Sequence, residues 1–223
     1  MRTLAYTRIY DSTEMLETWL KYYSRYFDDL CVFGHRAKPG LVNELLNKYK
    51  FTYEETQFEL HSLESLEFLK SKQVEFLENH DWVLYTDMDE LVVADPRKYK
   101  DLKDFMRRSK QKQTYCEGYE LYRIEELGER PIERWRPYLR QRKYWWKATN
   151  GSYNKPILSR VPSKWVHGFH SLEGETSEFT KSHHDTGIYL IHLRHVDERG
   201  SLETKSSEGG LAEIIPEWIK DML

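Results

Sequence analysis

The chain has 223 residues and a mass of 27.0 kDa, which suits one large α/β domain with a loop-rich part. It carries 34 Lys and Arg against 37 Asp and Glu, a net charge of -3, so no global field recruits nucleic acid. Mean hydropathy is -0.80, yet 16 Tyr and 7 Trp exclude a disordered chain.

Residues 3–9 suit a first strand, after which Asp11, Ser12 or Thr13 can cap a helix reaching about residue 27. That helix carries Leu16, Trp19, Leu20, Tyr23 and Phe27 at helical spacing. A short strand over 30–33 ends in Gly34-His35, and Lys38-Pro39-Gly40 reads as a turn before a helix over 41–48. A strand near 51–53 follows, then an amphipathic helix over 63–77 with Leu63, Leu66, Leu69, Val74 and Leu77 facing inward. A strand over 82–86 completes a β-α-β-α-β-α-β order, which predicts a mainly parallel, doubly wound sheet.

Residues 101–109 suit a short helix and 114–124 a long strand. Residues 125–154, rich in Arg, Trp and Tyr with Gly128, Pro131 and Pro137, read as irregular loops. Strands are expected over 156–160, 166–170 and 187–194, and a helix over 211–222. No internal repeat or low-complexity linker divides the chain, so a single domain is expected. Cys31 and Cys116 provide neither a disulfide framework nor a zinc spacing. With no apolar leader and no run of eighteen apolar residues, the expectation is a soluble cytoplasmic protein able to lie peripheral to a membrane.

The segment 81–93, DWVLYTDMDELVV, carries the most chemistry. An apolar run suited to a doubly covered strand leads straight into Asp87, Asp89 and Glu90, and a second apolar run follows. In open α/β sheets ligands bind beyond the carboxyl ends of the strands. In extended chain Asp87 and Asp89 point the same way while Met88 points back. Two such carboxylates need a positive partner between them, and a hard divalent cation is the expected one.

Six of nine histidines fall late: His167, His170, His183, His184, His192 and His195. In IYLIHLRHVD, strand alternation puts His192 and Arg194 on one face and His195 on the other. His192, at the end of an apolar run, is the better metal ligand.

Taken together, DSTEMLETWLKYY, the DWVLYTDMDEL strand and the late LIHLRH strand make residues 1–200 similar to glycosyltransferases of the GT-A fold, especially small family-2-like bacterial enzymes. The likeness implies a mostly parallel twisted sheet flanked by helices, with a nucleotide-sugar-binding half (1–110), an acceptor and metal-completing half (111–200) and a tail (201–223). It implies transfer of a sugar from a UDP- or GDP-sugar donor to a glycan or lipid-linked hydroxyl, in surface polysaccharide or glycoconjugate synthesis. Carried onto this chain, it assigns Asp87, Asp89, Glu90 and His192 to the metal, Mn²⁺ or Mg²⁺, with the imidazole favouring Mn²⁺. Thr7, Asp11, Asp87 and Arg194 would approach the donor, where Lys155 and Arg160 are further candidates for phosphate contacts. At the second strand the chain has GHRAKPG where many relatives carry an aspartate-rich turn. An inverting reaction also needs a base, for which Asp185 and His170 are the candidates. Tyr144, Trp145 and Trp146 could stack on an acceptor sugar or simply pack in a lid, and the terminal helix could pack on its own core or a second copy. Two other readings stand beside this one: a metal-dependent hydrolase using the Asp and His cluster, and a catalytically inert glycan-binding module of the same fold.

Overall fold

The computed structural model describes residues 1–10, 15–59, 62–133, 135–148, 154–166, 169–174, 186–197, 199–200 and 210–222. The first half is built as the sequence predicts. Strand β1 (Thr3–Tyr10) leads into α1 (Leu16–Tyr23), β2 (Asp29–His35), α2 (Pro39–Lys48), β3 (Thr52–Glu55), α3 (Leu63–Leu77) and β4 (Trp82–Tyr85). β1 pairs in parallel with both β2 and β4, and β2 with β3, so the order across this part is β3-β2-β1-β4. The chain winds outward from β1 to β3 and then returns to the other side of β1, leaving a switch point between β1 and β4.

The sheet then becomes mixed. β5 (Glu90–Ala94) is followed by α4 (Leu102–Arg108), β6 (Gln113–Leu121), the short β7 (Arg123–Ile124), β8 (Tyr144–Ala148), β9 (Lys155–Ser159) and β10 (Ile188–His192). β9 lies antiparallel between β4 and β6, while β10 runs parallel to β6 and antiparallel to β5. Past the two-residue β11 (Arg199–Gly200), β12 (Gly210–Ile214) pairs with β8 at the far edge. The result is an α/β fold with a mostly parallel core sheet flanked by helices. Among the described residues no helix is long and apolar enough to cross a membrane.

Several expectations are corrected. Lys38-Pro39-Gly40 is no turn: Pro39 and Gly40 form the first turn of α2, where a missing N–H costs nothing. On α3, Leu66 and Leu69 are buried, but Leu63 and Val74 are exposed, and Ser65 and Gln73 occupy the inner face. Ser65 accepts from Arg8 Nη1 (2.9 Å), and Gln73 bonds the backbone N–H and hydroxyl of Ser163. A hydrophobic pattern overlooks polar groups that are buried to satisfy others. Within 125–154, β8 is a regular strand, and Trp145 and Trp146 are buried, so neither offers a face to an acceptor. Of the strand expected over 166–170, residues 167–168 lie outside the described set, and Phe169 has φ 62°. The helix expected over 211–222 is β12 plus a single 3₁₀ turn, with Pro216 between them, since proline cannot sit inside a helix. The capping residues expected over 11–13 lie outside the described residues.

Candidate functional site

Past Tyr6 and Tyr85 the two central strands part. β1 continues along β2 to Tyr10, whereas β4 ends at Tyr85, and the N–H of the next residue, Thr86, donates to Tyr6 O (3.2 Å). The crevice so opened holds Arg8 on one side and Asp87 on the other, with Nε 3.6 Å from Oδ1.

Asp87 and Asp89 do not sit on extended chain. Residues 87–90 form a turn closed by Glu90 N–H donating to Asp87 O (3.0 Å), while Asp87 N–H donates to the Glu90 carboxylate (3.1 Å). The two-residue alternation expected from the sequence therefore does not place them. Aromatic residues of α1 hold the turn and the strand after it. Trp19 Nε1 donates to Thr86 Oγ1 (2.8 Å), Tyr23 OH to Glu90 O (3.1 Å) and Tyr22 OH to Val92 O (2.7 Å), while Val92 N–H donates to Tyr23 OH. The tyrosine contacts satisfy backbone groups on the side of β5 away from β10, which no strand covers among the described residues.

The positive partners anticipated between the carboxylates include side chains of the protein itself. Lys155, at the start of β9 and buried, reaches Glu90 Oε1 at 2.5 Å and Asp87 Oδ2 at 3.3 Å. Tyr85 OH donates to Asp87 Oδ1 (2.8 Å). Burial works to raise the Asp87 carboxyl, but Lys155 and Arg8 overcome it and hold it well below the usual carboxylate range. Burial also works to lower Lys155, and Glu90 and Asp87 outweigh it, so the lysine stays charged. Glu90 is thus an internal ion-pair partner rather than an open ligand.

Asp89 faces elsewhere. β10 lies against β5 with His192 opposite Glu90, and Leu193 N–H donates to Asp89 O (2.7 Å). His192 Nε2 stands 3.5 Å from Asp89 Oδ2, and its Nδ1 bonds Glu120 Oε1 at 3.0 Å. Glu120, buried on β6, also accepts from Tyr122 OH (2.6 Å). Burial works to lower the His192 imidazole, but Asp89 and Glu120 outweigh it and push it up to about 10. His195 is not on the opposite face: the strand ends at His192, and the following turn brings His195 Nε2 to 4.0 Å from Glu120, stacked on Tyr122.

The other expected site residues are more scattered. Thr7 is wholly buried in β1, its hydroxyl 3.4 Å from Arg8 O. Arg194 is exposed in the turn after β10. Arg160 lies over the Trp82 ring, 5.3 Å from its centroid. His170 follows Phe169, whose ring packs on Tyr85 (4.5 Å) and lies under the Arg8 guanidinium (5.5 Å). Asp11 and Asp185 lie outside the described residues. Sequence reasoning missed Arg8 and Glu120. Both are charged residues inside strands that are otherwise largely buried, Arg8 in TLAYTRIY and Glu120 in QTYCEGYEL, and charge within a strand was the available signal.

Among the described residues no three His, Cys, Asp or Glu side chains form a ready-made metal cluster. Asp89 and His192 nevertheless fit as a pair of ligands: ligand bonds of about 2.1 Å spread around one ion leave their ends roughly 3.0–3.5 Å apart. Glu120 on Nδ1 is the outer carboxylate that orients a ligating imidazole, leaving Nε2 to face the ion. A cleft on the Arg8 side, lined also by Tyr10, His35, Thr56 and Phe58, has room for no more than a water, about 10 Å³. No protein-family model matches the chain, and no curated protein matches it significantly.

Proposed function

We propose that this chain is a metal-dependent glycosyltransferase using a nucleotide-sugar donor, with Asp89 and His192 holding the divalent cation. The observation that supports it most is the meeting of Asp89 with His192, oriented by Glu120, beside the crevice at the carboxyl ends of β1 and β4. An oxygen ligand with an imidazole suits Mn²⁺ better than Mg²⁺. Bound there, the ion would act as Lewis acid on the departing diphosphate. Arg8 would add positive charge at the mouth of the crevice, and its buried Nε–H makes no hydrogen bond among the described residues. Lys155 would act through its field, since Glu90 and Asp87 already hold its ammonium. Asp87, fixed by Tyr85, would take a hydroxyl of the donor ribose. The acceptor would be a glycan or lipid-linked hydroxyl.

One observation favours the inert module instead. Arg8 and Lys155 already balance Asp87 and Glu90 without an added cation. A thermal-shift panel of nucleoside diphosphates and nucleotide sugars, with Mn²⁺ or EDTA, separates the readings. A ligand at a hundredfold excess over Kd stabilises the native state by about 2.7 kcal/mol. The transferase predicts a nucleotide shift that needs metal and disappears in Asp89→Ala and His192→Ala. Glycan binding with no nucleotide shift would establish the module. Destabilisation by EDTA alone would return the metallohydrolase.

A further inference from the structure

A cavity of about 260 Å³ lies between α1 and the segment around residues 135–138, with Leu91 and Tyr22 in its lining. None of Arg8, Asp87, Asp89, Lys155 or His192 lines it, and Leu91 faces away from its neighbour Glu90 along β5, so it is separate from the carboxylate crevice.

Its chemistry is one-sided. Lys21 on α1, Arg25 in the turn just after it and Arg136 opposite them all line the cavity. Lys21 and Arg25 form no salt bridge among the described residues, and Arg136 has only the exposed Glu133 at 3.8 Å. The acid in the lining, Asp221, is already matched by Arg140. The cavity lining therefore holds three basic side chains against one acid, in a chain whose net charge is -3. Trp135 adds the second feature. Among seven tryptophans it is the exposed one, at 78%, whereas Trp19, Trp82, Trp145, Trp146 and Trp165 are buried and Trp218 is half-buried. The Arg136 guanidinium lies over one face of this indole, 5.8 Å from the ring centroid, and the opposite face suits a ring with apolar C–H edges. The volume is a little below the roughly 300 Å³ at which ligand pockets usually begin, which sizes it for a small ringed group.

We propose that this cavity binds an acidic saccharide, its ring laid on Trp135 and its anionic group among Lys21, Arg25 and Arg136. Guanidinium groups favour a carboxylate or sugar phosphate through paired N–H donors. A single-stranded nucleic acid would use the same residue types, but it needs a basic groove that tracks several phosphates, and here the basic lining is three side chains around one partly open pocket. The proposal is independent of the transferase reading, because its variants leave the carboxylate crevice untouched.

The test is calorimetric titration of the whole chain with trigalacturonate, maltotriose, inorganic phosphate and hexathymidylate. Acrylamide, a neutral quencher, reports in parallel on the exposure of Trp135. Trigalacturonate should bind and shield the exposed tryptophan, and maltotriose should bind at least roughly tenfold more weakly. Trp135→Ala and the double variant Arg25→Gln with Arg136→Gln should each weaken trigalacturonate at least roughly tenfold. These are surface positions, so the fold should stand, which circular dichroism checks. Absence of trigalacturonate binding, equal affinity in the variants, or phosphate alone binding as well would overturn the proposal. Tighter binding of hexathymidylate would overturn it in favour of nucleic acid.

Discussion

Replacing Lys155 by methionine keeps the stem and removes the charge that faces Glu90 and Asp87. Glu90 is 1% exposed and Lys155 6%, so the carboxylate left behind has no water to replace its partner. Breaking one side of a buried pair costs about 3–5 kcal/mol, which in a domain of this size lowers Tm by roughly 6–20 °C. Burial already raises the Glu90 carboxyl, and Lys155 is the main group pulling it down, so the variant should raise it further. The sign follows from linkage. A carboxyl whose folded pKa is raised favours the native state while protonated and loses that contribution as pH rises through the folded value. The deficit of Lys155→Met should therefore be largest at pH 7 and shrink toward pH 5. Adding Glu90→Gln should recover more than half of it, because the amide oxygen can still accept from Asp87 N–H. Urea unfolding followed by fluorescence and circular dichroism, with wild type, both singles and the double at each pH, measures all of this. A loss below about 1 kcal/mol, the range of exposed pairs, or a double variant no better than the single, would refute the reasoning.

Glu120→Gln should leave the fold intact but weaken Mn²⁺ by about 10–100-fold, since the carboxylate orienting His192 is lost; metal titration reads this, and unchanged affinity would remove His192 from the metal site. Gly187 precedes β10 with φ 80°, and an added Cβ would lie 2.8 Å from the Tyr99 ring. Gly187→Ala should accordingly cost about 1–2 kcal/mol in urea unfolding, and a neutral result would show that this turn is not strained.

Sequence alone determined the elements whose identity rests on neighbours along the chain. The alternation of strands and helices through β4 is legible because each apolar run is punctuated by turn or cap residues. The limits of α3 and α4 match because Ser62 and Asp101 cap them locally, accepting from Ser65 N–H and Asp104 N–H. The acidic turn after β4 and the place of His192 at the end of an apolar strand were also visible, as charged residues terminating apolar runs. Tertiary structure decided what depends on distant partners. The 87–90 turn follows from the support of α1 tyrosines and tryptophan, which no two-residue period records. Residues 211–214 became a strand because β8 offered an edge and Pro216 barred a helix. The partners of the carboxylates were decided last of all. Lys155 meets Glu90 across 65 residues and Glu120 meets His192 across 72, contacts that exist only once the sheet brings β9, β6 and β10 beside the end of β4. Side-chain period is a property of a strand or helix, whereas the pairing of buried charges is a property of the assembled sheet.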